Sequence, residues 1–95
     1  MKETSRLHLR VIAPGRFVLD EEVDEVLLPG LDGQIGILPG HRPLILGLGR
    51  GELFYRRGEK QNHLSLLSGY ATISPREVIV FTEGTEEKKP AAAGD

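Results

Sequence analysis

Residues Val26 to Leu44 read VLLPGLDGQIGILPGHRPL, a stretch with three prolines and four glycines and almost no side chain with chemistry of its own. It is too apolar for a loose loop and too punctuated for a helix. Pro29-Gly30 and Asp32-Gly33 are turn dipeptides, so a reversal is expected after VLL. Gly36 thins the QIGIL run, as expected where another backbone comes close. Pro39-Gly40-His41 turns the chain again, and Pro43 stiffens the approach to LIL. Turns on both sides of one short apolar strand should present Gln34, His41 and Arg42 near one edge of the domain, on a backbone with little freedom left to lose. That suits docking, although a compact, well-ordered hairpin is an equally good account on physics alone.

Outward from this stretch the same period continues. LHLRVI puts Leu7, Leu9 and Val11 on one side of an extended chain and His8 and Arg10 on the other, as a half-buried strand requires. Ala13-Pro14-Gly15 breaks it, and RFVL resumes an apolar run that can pair back as a hairpin. EVDEVLL, ELFYRR, HLSLLS, YATIS and EVIVF repeat the pattern, each bounded by Gly, Pro or a charged turn such as Arg57-Gly58-Glu59. No window of helical length carries an apolar stripe at the helical period. About eight to ten short strands without a helix to cover them must pack sheet on sheet, so the fold class is all-β: a small two-sheet β-sandwich or flattened barrel. Its connections look too short for crossovers, which predicts antiparallel pairing.

The chain has 95 residues, enough for one small domain. Residues 1–83 are assigned to the sandwich. EGTEEKKPAAAGD changes character, and 84–95 is expected to be a polar, mobile tail in which Thr85, Glu86 and Glu87 could at most begin a helical turn before Pro90. Twelve basic and 14 acidic side chains are interspersed, for a net charge of -2, so no cationic surface invites nucleic acid. Without cysteine there is no disulfide or thiolate metal site. The opening MKETSRLHLRVI lacks the apolar core of a secretion signal.

Candidate chemistry is sparse. His8, His41 and His63 have no short ligand spacing and read better as solvated or hydrogen-bonded imidazoles. GLGRGE lacks the spacing of a phosphate loop and no helix follows it, so it reads as a turn. DGQIG lacks the later acids of a calcium loop, and no GxSxG elbow exposes Ser65, Ser68 or Ser74. Asp20, Glu21, Glu22, Asp24 and Glu25 read as a solvated strand edge rather than paired catalytic acids. No cofactor is expected.

VDEVLLPGLDGQIGILPGHRPLI resembles the signature segment in the N-terminal sandwich domain of the epsilon subunit of F-type ATP synthases, called delta in mitochondria. LHLRVIAPGRFVLDEEV resembles that family's opening hairpin and LSLLSGYATISPREVIVFTE its closing strands, so the resemblance covers about Leu7 to Glu83. It implies a two-sheet sandwich, in agreement with the periodicity. Longer members add a C-terminal helical hairpin that can block ATP hydrolysis and in some binds ATP; no counterpart is expected here.

The resemblance implies a rotor part of the central stalk rather than a catalyst. The sandwich would bind the gamma subunit and rest on the polar loops of the membrane-embedded c-ring, coupling ion-driven rotation to ATP synthesis on the alpha and beta subunits, which it meets only indirectly. By position, Ala13, Pro14, Gly33 and Gln34 match c-ring-facing residues, while His41, Leu44 and Leu46 match gamma-facing ones. Gln34 departs from the acid common at its position, Tyr70 replaces a frequent second glycine, and Glu83-Gly84-Thr85 replaces Asp-Thr-Ala. The implied location is peripheral, at the cytoplasmic face of the bacterial inner membrane. The alternative is a free-standing sandwich that binds a small ligand or a partner protein.

Overall fold

The computed structural model describes residues 6–85. They form nine strands: β1 (Leu7–Ala13), β2 (Arg16–Val23), β3 (Glu25–Gly30), β4 (Gly33–Ile37), β5 (Leu44–Leu48), β6 (Gly51–Arg57), β7 (Lys60–Leu66), β8 (Gly69–Ser74) and β9 (Glu77–Thr82). No helix occurs among the described residues. The ladder runs β2-β1-β9-β8-β5-β3-β6-β7, with β4 paired to β3. It curls so that β2-β1-β9-β8-β5 and the β3, β4, β6, β7 group enclose one core, the expected sandwich.

Alternation builds that core. β1 is buried at Leu7, Leu9, Val11 and Ala13 and open to solvent between them, and β9 buries Val78, Val80 and Thr82 in the same way. From the other layer Val26, Leu28, Ile37, Leu53 and Leu66 close the same cluster, each at most 1% exposed. Fifteen buried apolar side chains among the described residues make up the interior. Each large one contributes about 1.5–3 kcal/mol of burial against the cost of ordering the chain.

One pair departs from the antiparallel expectation: β1 and β9 run parallel, His8 beside Glu77 through Ile12 beside Phe81. They are the first and last strands, so everything between them serves as the connection and the crossover-length argument does not apply. The opening hairpin forms as expected, with Ala13 paired to Arg16 across Pro14-Gly15 and a bulge after Val11.

Pro29-Gly30 differs from its reading as a turn. Both residues belong to β3, and the reversal is the two-residue connection Leu31-Asp32, because Gly30 pairs with Gly33. Proline is tolerated there because the N and O of one strand residue point the same way. The Pro29 carbonyl accepts from Gly49 N at 2.9 Å on the β5 side, so the missing donor is not taken from the β3–β4 ladder. At Gly36 the close neighbour is the Leu27 side chain rather than a backbone: a Cβ there would lie 3.2 Å from Leu27 Cδ2.

The expected tail from residue 84 lies outside the described residues except at its start. There Gly84 O accepts from Leu67 N at 3.0 Å and Thr85 bridges Leu66, so these two residues still lie against the sandwich. Thr82 is 5% exposed, and its Oγ1 lies 2.9–3.1 Å from the Leu67, Ser68 and Gly84 carbonyls, fastening this closing segment.

Candidate functional site

Register places the residues singled out from the sequence. Across the outward side of the first layer, one rung passes from Ile12 to Phe81, Tyr70 and Gly47, and Leu31 N donates to Gly47 O at 3.1 Å. The Ala13-Pro14 turn and the Gly33-Gln34 tip therefore lie at the same end of the sandwich. Pro14, Gly33 and Gln34 are exposed there, whereas the Ala13 side chain points into the core and is 5% exposed. The tip and β5 border a shallow cleft of about 400 Å³ lined by Gly30, Leu31, Gln34, Leu46 and Gly47 among others.

His41 sits at the other end. Gly40 N donates to Pro75 O at 2.8 Å, which ties the 39–41 turn to the β8–β9 connection, and His41 N closes the turn on Leu38 O at 3.1 Å. The His41 ring meets the Arg42 carbonyl through Nδ1 at 2.7 Å. Gln34 and His41 thus flank β4, which among the described strands pairs only with β3 and so forms a sheet edge, but they lie at its opposite ends. β4 lies between them, and a strand of five residues separates its ends by about 13 Å.

Between these ends β5 shows two faces. Leu44 and Leu46 pair with buried Ile73 and Ala71 and pack half-buried against the core. Ile45 points outward beside Thr72 and is 74% exposed. Ile45 was not singled out from the sequence. It belongs to an outward apolar band with Phe17, Ile12, Phe81 and Tyr70, in which the Tyr70 and Phe81 rings stack at 5.0 Å. Phe17 is 69% exposed and Tyr70 48%, and apolar side chains so grouped on a surface mark interaction sites. The signal was present in YATIS and EVIVF, whose second period opposes Val78 and Val80, but only strand order makes it continuous.

The acidic cluster is more engaged than a solvated edge. Asp24, its side chain 18% exposed, accepts from Gly58 N at 2.7 Å and from Arg6 Nε at 2.9 Å. Arg56 lies 3.8 Å away and also pairs with Glu25 at 3.3 Å. The Gly58 N–H and then Arg6 hold the Asp24 carboxyl below its usual pKa. Asp20 meets His8 and, with Glu77, flanks Arg10. These pairs brace β1, β2, β9 and the β6–β7 hairpin. Among the described residues no three His, Cys, Asp or Glu side chains are grouped to hold a metal.

What the arrangement offers is surface: two exposed turns at one end, an imidazole turn at the other and an apolar band between strands. The family model for the ATP synthase delta/epsilon chain β-sandwich domain matches residues 6–88. An ATP synthase epsilon chain from Nitratidesulfovibrio vulgaris strain DP4 is 39% identical over 80 residues, covering 84% of this chain and 60% of the relative. One from Nostoc sp. strain PCC 7120 is 44% identical over 82 residues, with the same coverage of 84% and 60%. The chain thus spans about 60% of the length of these relatives. In fold it is similar to a chain in the Euglena gracilis mitochondrial ATP synthase, in a structure of OSCP, F1 and c-ring, with a TM-score of 0.81 at 22% identity, covering 86% of this chain and 53% of that one. With the sandwich, the opening hairpin and the Val26–Leu44 segment in place, and a family match running nearly the length of the chain, this protein belongs to the ATP synthase delta/epsilon β-sandwich family.

Proposed function

We propose that this domain is a non-catalytic rotor part of an ATP synthase, docking the gamma subunit onto the c-ring and passing ion-driven rotation to ATP synthesis on the alpha and beta subunits. The observation that carries the reading is the separation of two surfaces on one rigid sandwich. Pro14, Gly33 and Gln34 are exposed at one end, and His41 sits at the other with the outward Ile45 between them. A coupling part must touch two bodies at once through surfaces that cannot move relative to each other, and a continuous ladder from β1 to β5 supplies that. The epsilon-chain relatives, and the F1 and c-ring that accompany the similar chain in the Euglena complex, support the same partners.

The turns around Ala13-Pro14 and Gly33-Gln34 would face the ring. His41, Leu44 and Leu46 would mark the side facing gamma, where Ile45 is the β5 residue free to insert into a partner. The domain would then be held peripherally at the cytoplasmic face of the bacterial inner membrane. The test is affinity capture of the tagged chain with gamma and the detergent-solubilised ring of its own complex. Capture of both supports the reading. A chain that stays monomeric in their presence overturns it in favour of a free-standing binding module.

A further inference from the structure

We propose that Gly30 and Gly33 are positioning residues that hold the β3–β4 tip in one shape and thereby aim Gln34. This rests on the reading that the tip meets the ring. Gly30 and Gly33 form the last rung of the hairpin, and Gln34 follows at once, opposite Pro29. A Cβ on Gly30 would lie 2.8 Å from the Gly33 carbonyl oxygen, a backbone atom that cannot swing aside. Gly33 itself has φ +126°, a conformation that L side chains rarely adopt, and a Cβ there meets nothing within 4 Å. The obstacle at Gly33 is therefore one of handedness, while at Gly30 it is space.

Two hydrogen bonds outside the hairpin ladder fix the tip from the β5 side. Leu31 N donates to Gly47 O at 3.1 Å, and Gly49 N donates to Pro29 O at 2.9 Å. Leu31 and Asp32 are thus a two-residue connection held from the β5 side at its Leu31 end and closed at the other by the Gly30–Gly33 rung, although both side chains are exposed. A contact made by one short polar side chain is weak, and it gains most when its backbone is already ordered, since little freedom is then lost on binding. Gln34 is exposed and stands on such a backbone.

The handedness argument supplies the test. The chain is short enough for chemical ligation, so Gly33→Ala can be made with L-alanine and with D-alanine, which add the same methyl group in mirror-image geometry. In the free chain, L-alanine should speed exchange of the Leu31 amide at least about tenfold, as the bond to Gly47 loosens, while D-alanine leaves it near the parent rate. Against the isolated ring, L-alanine should weaken capture about as much as Gln34→Ala does, some 2- to 12-fold, and D-alanine should not. Adding Gln34→Ala to the L-alanine chain should then weaken capture little further, because the side chain is already misplaced; a purely structural loss would leave the two effects additive. Equal exchange rates for the two stereoisomers, or additive losses, overturn the proposal. If Gln34→Ala alone leaves capture unchanged, the ring reading falls, and the stereoisomer comparison of Leu31 exchange still decides whether these glycines shape the tip.

Discussion

Adjacent residues on β5 should fail in opposite ways when each is replaced by glutamate. Ile45 is 74% exposed and faces outward beside Thr72, so Ile45→Glu removes almost no burial and strands no charge in the core. Substitutions at such positions change stability by no more than about 0.5 kcal/mol, which for a domain of this size is about 2–4 °C in Tm. Leu46 is half-buried against the core opposite Ala71, which is fully buried. Burying a whole leucine contributes about 1.5–3 kcal/mol, so losing a partly buried one costs about 1–2 kcal/mol. Placing a carboxyl group beside Ala71 and Leu48, where it avoids the larger cost of a buried charge by taking up a proton, adds a desolvation cost of about 1–3 kcal/mol. The sum for Leu46→Glu, about 2–5 kcal/mol, lowers Tm by at least about 8 °C. Thermal melts of both variants followed by circular dichroism, beside capture by gamma, check this. Ile45→Glu should melt like the parent and bind gamma less well, and Leu46→Glu should melt early. Equal melting losses would show that the assignment of faces on β5 is wrong.

Two further outcomes follow from the polar network. Asp24 has its pKa lowered in the folded chain, first by the Gly58 N–H and then by Arg6, so its stabilising contribution is present above the unfolded carboxylate value of about 3.9 and is lost as pH falls through the lower folded value. Asp24→Asn should therefore be less stable than the parent at pH 7, with the gap closing below about pH 4; urea midpoints across that range test it, and a gap independent of pH would refute it. Thr82→Val removes the hydroxyl among the Leu67, Ser68 and Gly84 carbonyls. Ser68 O also accepts from Glu83 N and Gly84 O from Leu67 N, but the Gly84 N–H loses the hydroxyl it donates to at 3.3 Å, so the cost should be about 1–2 kcal/mol, read as a lower urea midpoint with an unchanged slope, and native-state exchange should quicken first at Gly84.

The sequence by itself determined the fold class, because alternation is local: Leu7, Leu9 and Val11, or Val78 and Val80, declare their buried side without reference to any other strand. It also determined the positions of the turns at Pro14-Gly15, Pro39-Gly40 and Gly58, where proline or a glycine with positive φ meets a local backbone demand. The Val26–Leu44 segment declared the family. What it could not declare was which strands become neighbours. The parallel pairing of the first and last strands, the apolar band from Phe17 to Ile45 and the meeting of the Pro14 and Gln34 turns at one end all depend on contacts between residues far apart in the chain. Period tells a side chain whether it faces in or out, and strand order alone tells it what it stands beside. The same holds for Asp24, whose carboxyl is held ionised by Gly58 and Arg6 from two other parts of the chain, and for Pro29, whose missing donor falls on the β5 side and so leaves the β3–β4 ladder intact.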